Sequence, residues 1–190
     1  MSHSIFKSSS PYLAEIEESF GASDYAPQYW SDQLSALTLD VDSATFTQKL
    51  YDLKAQFDLS WANARLEKTT LSDVSHFIAL GRRRSEFAAI SIDKALHYAW
   101  QDTLRANRLK EVPLEGIFVL GLGKLGGHDL NFSSDVDIIA FFDPEMFPVP
   151  ESKGRKYIAN KMLQRMTQIL HPKGKPVSYT HLTLPTTSRV

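Results

Sequence analysis

Hydrophobic positions in the first hundred residues recur at steps of three and four. Between Thr45 and Leu66 they fall at Phe46, Leu50, Leu53 and Phe57, a spacing that lines up side chains along one side of an α-helix. Ala88, Ile92, Ala95 and Ala99 make a second stripe, with Trp100 and Leu104 beside it. The chain from about Gln28 to Asn107 is therefore predicted to be mostly helical. Thr70 and Asp73 are spaced as an N-terminal cap for the second of these runs. Residues 1–26 show no such regularity, and Ser8-Ser9-Ser10-Pro11 reads as a loop.

The pattern changes at Val112-Pro113, where a proline disfavours further helix. Ile117-Phe118-Val119-Leu120 and Val136 to Phe142 are short apolar runs of strand type. The residues between them are rich in Gly, Asn, Ser and Asp. Pro144, Pro148 and Pro150 mark a stiff loop. Helical spacing then returns at Ile158, Met162, Met166, Ile169 and Leu170 and ends near His171-Pro172, with both methionines read as core. The fold class is α+β: a mainly helical region over residues 1–110, then a small mixed sheet flanked by helices over 111–176. Residues 177–190 are Thr-rich, lack acidic side chains and continue none of these patterns. They resemble the translated adapter or assembly scars that end some conceptual reading frames, and are set aside as a non-native tail.

Composition narrows the function classes. The chain is 43% apolar and 23% charged with a formal net charge of -1, so no electrostatic case exists for a nucleic-acid or membrane partner. With no cysteine, zinc-finger, iron–sulfur and disulfide frameworks are excluded. No apolar run approaches the roughly 18 residues that span a bilayer, and the first twenty residues lack the basic and apolar regions of a signal peptide. The expected location is the cytoplasm. Gly81-Arg82-Arg83-Arg84 lies within the long helical run. It reads either as a solvated helix face or as a basic patch near a phosphate-bearing ligand.

The chemistry concentrates in VLGLGKLGGHDLNFSSDVDIIAFFD, Val119 to Asp143. Gly121, Gly123 and Gly126 spell G-x-G-x-x-G after an apolar run, and Asp143 follows, as in a dinucleotide-binding fold. That fold needs a crossover helix, and only Leu130 and Phe132 are large and apolar between Gly127 and Val136. Asn131, Ser133, Ser134 and Asp135 compete for backbone hydrogen bonds and disfavour a helix there. A P-loop fails too, because Leu125 rather than Ser or Thr follows Lys124.

The D-x-D of Asp135 and Asp137 gives the second reading. Alternate residues of a strand share a face, so the two carboxylates project together roughly 6–7 Å apart while Val136 and Ile138 face the other way. Their repulsion is on the order of 2–3 kcal/mol at an effective dielectric near 20, and a divalent ion held with substrate phosphates offsets it. Turn capping or a solvated strand edge would also account for the pair, and a solvated turn for Lys124. The arrangement of strand, Gly123-Lys124 turn, spacer, Ser134-Asp135-x-Asp137 and strand is the layout of nucleotidyltransferases of the DNA polymerase β type.

This stretch closely resembles the motif of the bacterial bifunctional glutamine-synthetase adenylyltransferase/adenylyl-removing enzymes. Family members read much like G-M-G-K-L-G-G-x-E-L-N-[FY]-S-S-D-[IV]-D-L-I-F, and the preceding Arg-rich helix is similar to the region before their first catalytic domain. The L-N-F-S-S-D spelling resembles that first domain, which uses phosphate to remove AMP from a modified tyrosine and releases ADP. The resemblance implies a truncated polymerase β-type core after the helical region. It implies Asp135 and Asp137 as catalytic, Mg²⁺- or Mn²⁺-binding carboxylates. Gly123, Lys124, Gly126 and Gly127 become the phosphate-contacting turn with Ser134 as its support. ATP, ADP and phosphate are the implied substrates, and glutamine synthetase and the PII signalling protein the implied partners.

Two departures stand out. Asp129 occupies a position where the family often has Glu, and nothing from Pro172 to Val190 matches the strand that carries a third acidic residue near R-V-D-x-R-L-R-P. The expectation is an inactive fragment with an unpaired sheet edge. A PII uridylyltransferase and a non-catalytic nucleotide-binding module are the competing readings.

Overall fold

The computed structural model describes residues 6, 10–21, 27–67, 74–172 and 180–183. Its helical part comprises α1 (Pro11–Phe20), α2 (Pro27–Ser35), α3 (Ser43–Glu67) and α4 (Val74–Ala106). The sheet part follows as β1 (Ile117–Gly121), the one-turn helix α5 (Gly123–Gly126), β2 (Val136–Phe142), α6 (Arg155–Leu170) and β3 (Thr180–Thr183). A single 3₁₀ turn, Glu151–Lys153, precedes α6.

The apolar stripes do what their spacing predicts. Phe46, Leu50 and Phe57 of α3, Ile92, Ala95, Ala99, Trp100 and Leu104 of α4, and Ile158, Met162, Met166 and Ile169 of α6 share one core. That core also takes Ile138 and Ala140 from β2. Stacked rings tie the helices together at Phe46 against Tyr98 and at Phe57 against Phe87. The sheet thus has one face on the helices.

The N-terminal region departs from expectation. Where residues 1–26 read as irregular, Pro11–Phe20 is a helix whose Leu13 and Ile16 are buried. The Ser-Pro pair that resembled a loop is a helix start: the Ser10 Oγ accepts a hydrogen bond from the Leu13 N–H, and Pro11 occupies the first turn, where a missing N–H does no harm. Leu13 and Ile16 form a second, smaller core with Ala55, Leu59 and Ala62 of α3, joined by Phe132 from the β1–β2 connection. Ser10→Ala is expected to lower stability by about 1 kcal/mol, measured as a shift of the thermal midpoint. The cap expected at Thr70 and Asp73 lies outside the described residues.

β1 and β2 are antiparallel neighbours, with Ile117 opposite Phe142 and Gly121 opposite Ile138. A dinucleotide fold needs parallel strands joined by a crossover helix, so this pairing excludes it. β3 runs parallel to β2 on its other side, from Val136 opposite Thr180 to Ile139 opposite Thr183. The open edge expected beside β2 is therefore paired along those four residues: backbone ladder bonds need only an extended partner, whatever its composition. Among the described residues, no helix is long and apolar enough to cross a membrane.

Candidate functional site

The site forms where β1 turns through α5 beside the start of β2. Opposed residues of an antiparallel ladder share a face. Exposed Phe118 and Leu120 of β1 lie opposite Phe141 and Ile139 of β2, and the rings of Phe118 and Phe141 stack 4.7 Å apart. Two residues before Ile139 on this open face comes Asp137. The alternate residues Ile138 and Ala140 are buried against the helices. Asp137 is half-buried, and Asp135 is exposed one residue before the strand begins.

The glycine turn is fitted to Asp137. The Leu122 N–H donates to the Asp137 carbonyl at 2.8 Å, so the turn starts directly opposite that residue. Gly123 has a φ of 51°, a left-handed conformation that glycine adopts freely. A side chain at Gly123 would begin 3.5 Å from the Asp137 Oδ2, which places that carboxylate against the turn. Lys124 is exposed on α5, and Leu125 is its buried anchor. At Gly126 a Cβ would stand 2.6 Å from the Gly121 carbonyl oxygen, so α5 can close onto β1 only with glycine there. Gly127, with φ -81°, has ordinary room at 3.4 Å from the Gly123 carbonyl. Gly126→Ala is expected to cost about 1–3 kcal/mol by forcing α5 away from β1, with Gly127→Ala near wild type. Thermal melts of the two variants check this contrast.

Ser134 has a different setting from the glycines. It is buried, its hydroxyl donates to the Asn131 Oδ1 at 2.8 Å, and it accepts from the Asn131 N–H at 3.0 Å. The Asn131 Oδ1 also takes the Ser133 N–H. The hydroxyl of Ser134 thus closes the loop that leads into Asp135.

Sequence reasoning passed over the polar cluster behind this loop. Of the three arginines, Arg82 and Arg83 are exposed and solvated, whereas Arg84 is 7% exposed and belongs to neither expected class. Its Nη1 donates to the Asp58 Oδ1 at 2.8 Å, and its Nη2 donates to the Phe132 carbonyl at 3.1 Å. Asp58, 2% exposed, also accepts from the Lys54 Nζ at 2.6 Å and the Tyr12 hydroxyl at 3.0 Å. Burial alone pushes the Asp58 carboxyl up, but the Lys54 and Arg84 charges outweigh it and hold the group below the usual carboxylate range. The four-residue spacing of Lys54 and Asp58 on one helix was the available signal.

With this geometry in place, comparison with known proteins is decisive. The sequence model of glutamate-ammonia ligase adenylyltransferase matches residues 6–178. The chain belongs to this family. A bifunctional glutamine synthetase adenylyltransferase/adenylyl-removing enzyme of Mesorhizobium japonicum is 26% identical over 148 residues, 73% of this chain and 15% of that protein. The enzyme of the same name from Caulobacter vibrioides is 28% identical over 144 residues, 71% of this chain and 14% of that protein. Another from Bradyrhizobium sp. (strain BTAi1) reaches 34% over 92 residues, 45% of this chain and 9% of that protein. The chain thus spans about one seventh of the first two relatives' length.

Asp135 and Asp137 suit a magnesium or manganese ion, which usually binds through one or two carboxylates together with substrate phosphates. Among the described residues, no group of three or more metal-ligating side chains occurs. Substrate oxygens and water would complete such a coordination sphere.

Proposed function

We propose that this chain carries the opening part of a polymerase β-type nucleotidyltransferase core, from the adenylyl-removing half of a glutamine synthetase-modifying enzyme. The observation that carries the reading is Asp137 against the Gly123 turn, on the open face of the sheet, in a member of the glutamate-ammonia ligase adenylyltransferase family. In the reaction, an oxygen of inorganic phosphate attacks the phosphorus of the AMP attached to a tyrosine of glutamine synthetase. The bond from phosphorus to the tyrosine oxygen breaks, that oxygen takes up a proton, and ADP leaves.

Each residue has a part in this scheme. Asp135 and Asp137 would hold the divalent ion, Mg²⁺ or Mn²⁺, which when bound would supply positive charge against the phosphate groups during in-line displacement. Gly123, Gly126 and Gly127 let the backbone come close to a phosphate, and exposed Lys124 adds a point charge. Ser134 contributes through the loop it closes. The PII protein acts on the whole enzyme as a regulator, and the setting is cytoplasmic. With two carboxylates in the site, the 190-residue chain binds nucleotide and metal weakly and does not turn over.

Isothermal titration of the chain with Mn²⁺ in the presence of ADP tests this. Weak, metal-dependent binding without turnover is the expected result. Tight binding with turnover by the 190-residue chain refutes its inactivity, and no binding at all refutes the assignment of Asp135 and Asp137. A non-catalytic binding module is distinguished by the double variant Asp135→Asn/Asp137→Asn, which would leave such a module's partner affinity unchanged.

A further inference from the structure

The Asp135 side chain makes no hydrogen bond or ion pair among the described residues, and Asp135 precedes the first residue of β2. Its direction is inherited from the loop before it. That loop is bound to α4 at two points, both far away in sequence. The Phe132 carbonyl accepts from the Arg84 Nη2 at 3.1 Å, and the Leu130 N–H donates to the Ser85 Oγ at 3.2 Å. Between and after these points the loop closes on itself through Asn131 and Ser134.

Arg84 is itself held from several sides. Its guanidinium lies 5.4 Å from the Trp61 ring centroid and 5.1 Å from that of Phe132. Asp58 takes its other terminal nitrogen, and Asp58 is shared with Lys54 and Tyr12. Ser85, almost fully buried, donates its own proton to the Gly81 carbonyl at 2.9 Å. The helical region therefore grips the loop through paired, buried groups, and Asp135 is the first residue beyond the grip.

We propose that Arg84 and Ser85 are positioning residues for the Asp135–Asp137 pair. They hold the backbone of residues 130–134 so that Asp135 meets the same ion as Asp137, and they make the helical region a working part of the site. The inference rests on the proposed function for the identity of what the pair binds. Two carboxylates share an ion only when both are held within about 0.5 Å of the productive geometry, so a loosened loop weakens binding without altering either ligand.

Arg84→Lys is the deciding variant. Lysine keeps a positive charge for Asp58, but it lacks the planar fork that serves Asp58 and Phe132 together and lies over the Trp61 and Phe132 rings. Ser85→Ala removes the acceptor for Leu130 and serves equally if the lysine variant does not fold. Arg82→Gln, on the exposed side of α4, is the control. Two quantities are measured on folded protein: amide hydrogen exchange across residues 130–134 relative to β2, and Mn²⁺ affinity in the presence of ATP.

In Arg84→Lys and Ser85→Ala, the loop amides should exchange at least about tenfold faster while β2 keeps its protection. Mn²⁺ affinity should fall roughly 10- to 100-fold, the usual scale for groups that orient metal ligands, and Arg82→Gln should change neither. Unchanged loop exchange, or wild-type Mn²⁺ affinity in a loosened variant, overturns the proposal. If the wild-type chain binds no Mn²⁺, the metal assignment fails, and the exchange measurement alone upholds or overturns the anchoring of the loop.

Discussion

Asp137→Asn is expected to weaken Mn²⁺ binding in the presence of ATP by at least about 100-fold, more than the loss of an orienting neighbour brings. Its melting temperature should meanwhile stay close to that of the wild type. The two halves of this expectation have one cause. Asp137 is half-buried beside the Gly123 turn, on a face the helices do not cover, so its charge is available to a ligand and is not used to hold the fold. Removing one of two neighbouring carboxylates also relieves repulsion, which solvent near exposed Asp135 already screens. Isothermal titration and circular dichroism measure both effects. A folded Asp137→Asn chain with wild-type Mn²⁺ affinity would move the site elsewhere. In a full-length relative, the corresponding change should abolish release of AMP from modified glutamine synthetase.

Asp58→Asn should behave in the opposite way, with a large loss of stability. The substitution leaves the buried Arg84 guanidinium without its carboxylate, and breaking such a pair costs about 3–5 kcal/mol. For a chain of this size each kcal/mol moves the thermal midpoint by about 2–4 °C, so a fall of roughly 6–20 °C is expected. The same carboxyl imposes a pH dependence. Its native pKa is depressed, so the stability it contributes is fully present above its unfolded value of about 4 and is lost as pH falls through the lower native value. Melts between pH 7 and pH 2 should show this acid limb in the wild type and a shallower one in Asp58→Asn. Equal limbs in the two proteins would mean that other carboxylates dominate acid unfolding.

Together the two carboxylates show how the chain divides its acidic groups. Asp58 is enclosed by Lys54, Arg84 and Tyr12 and stabilises the junction between helices and loop. Asp137 is left accessible at the end of an apolar strand. Only the second arrangement leaves a carboxylate within reach of solvent, and the glycine turn lies against it.

Family membership was legible because the Gly-Lys-Leu-Gly-Gly turn and the Leu-Asn-Phe-Ser-Ser-Asp-x-Asp run occupy adjacent positions in the chain. The long elements were legible for a related reason. In α3, α4 and α6 the apolar residues repeat often enough for local spacing to identify one buried stripe, and β2 begins and ends where its apolar run does. Helix α1 escaped notice because ten residues carry too few repeats, and because Ser10-Pro11 serves equally as a loop or a helix start until Leu13 and Ile16 find α3.

What local order could not convey was every relation between residues far apart in the chain. An arginine beside two others on a helix looks the same whether it is solvated or buried. Arg84 is set apart only because folding brings Asp58, Trp61 and Phe132 around it. The antiparallel direction of β1 and β2, the pairing of residues 180–183 with β2, and the closeness of Gly123 to Asp137 are likewise tertiary facts. Periodicity and motif spacing record which faces and turns a segment prefers. Which distant segment meets that face depends on packing the whole chain at once, and the candidate site lies at such a meeting.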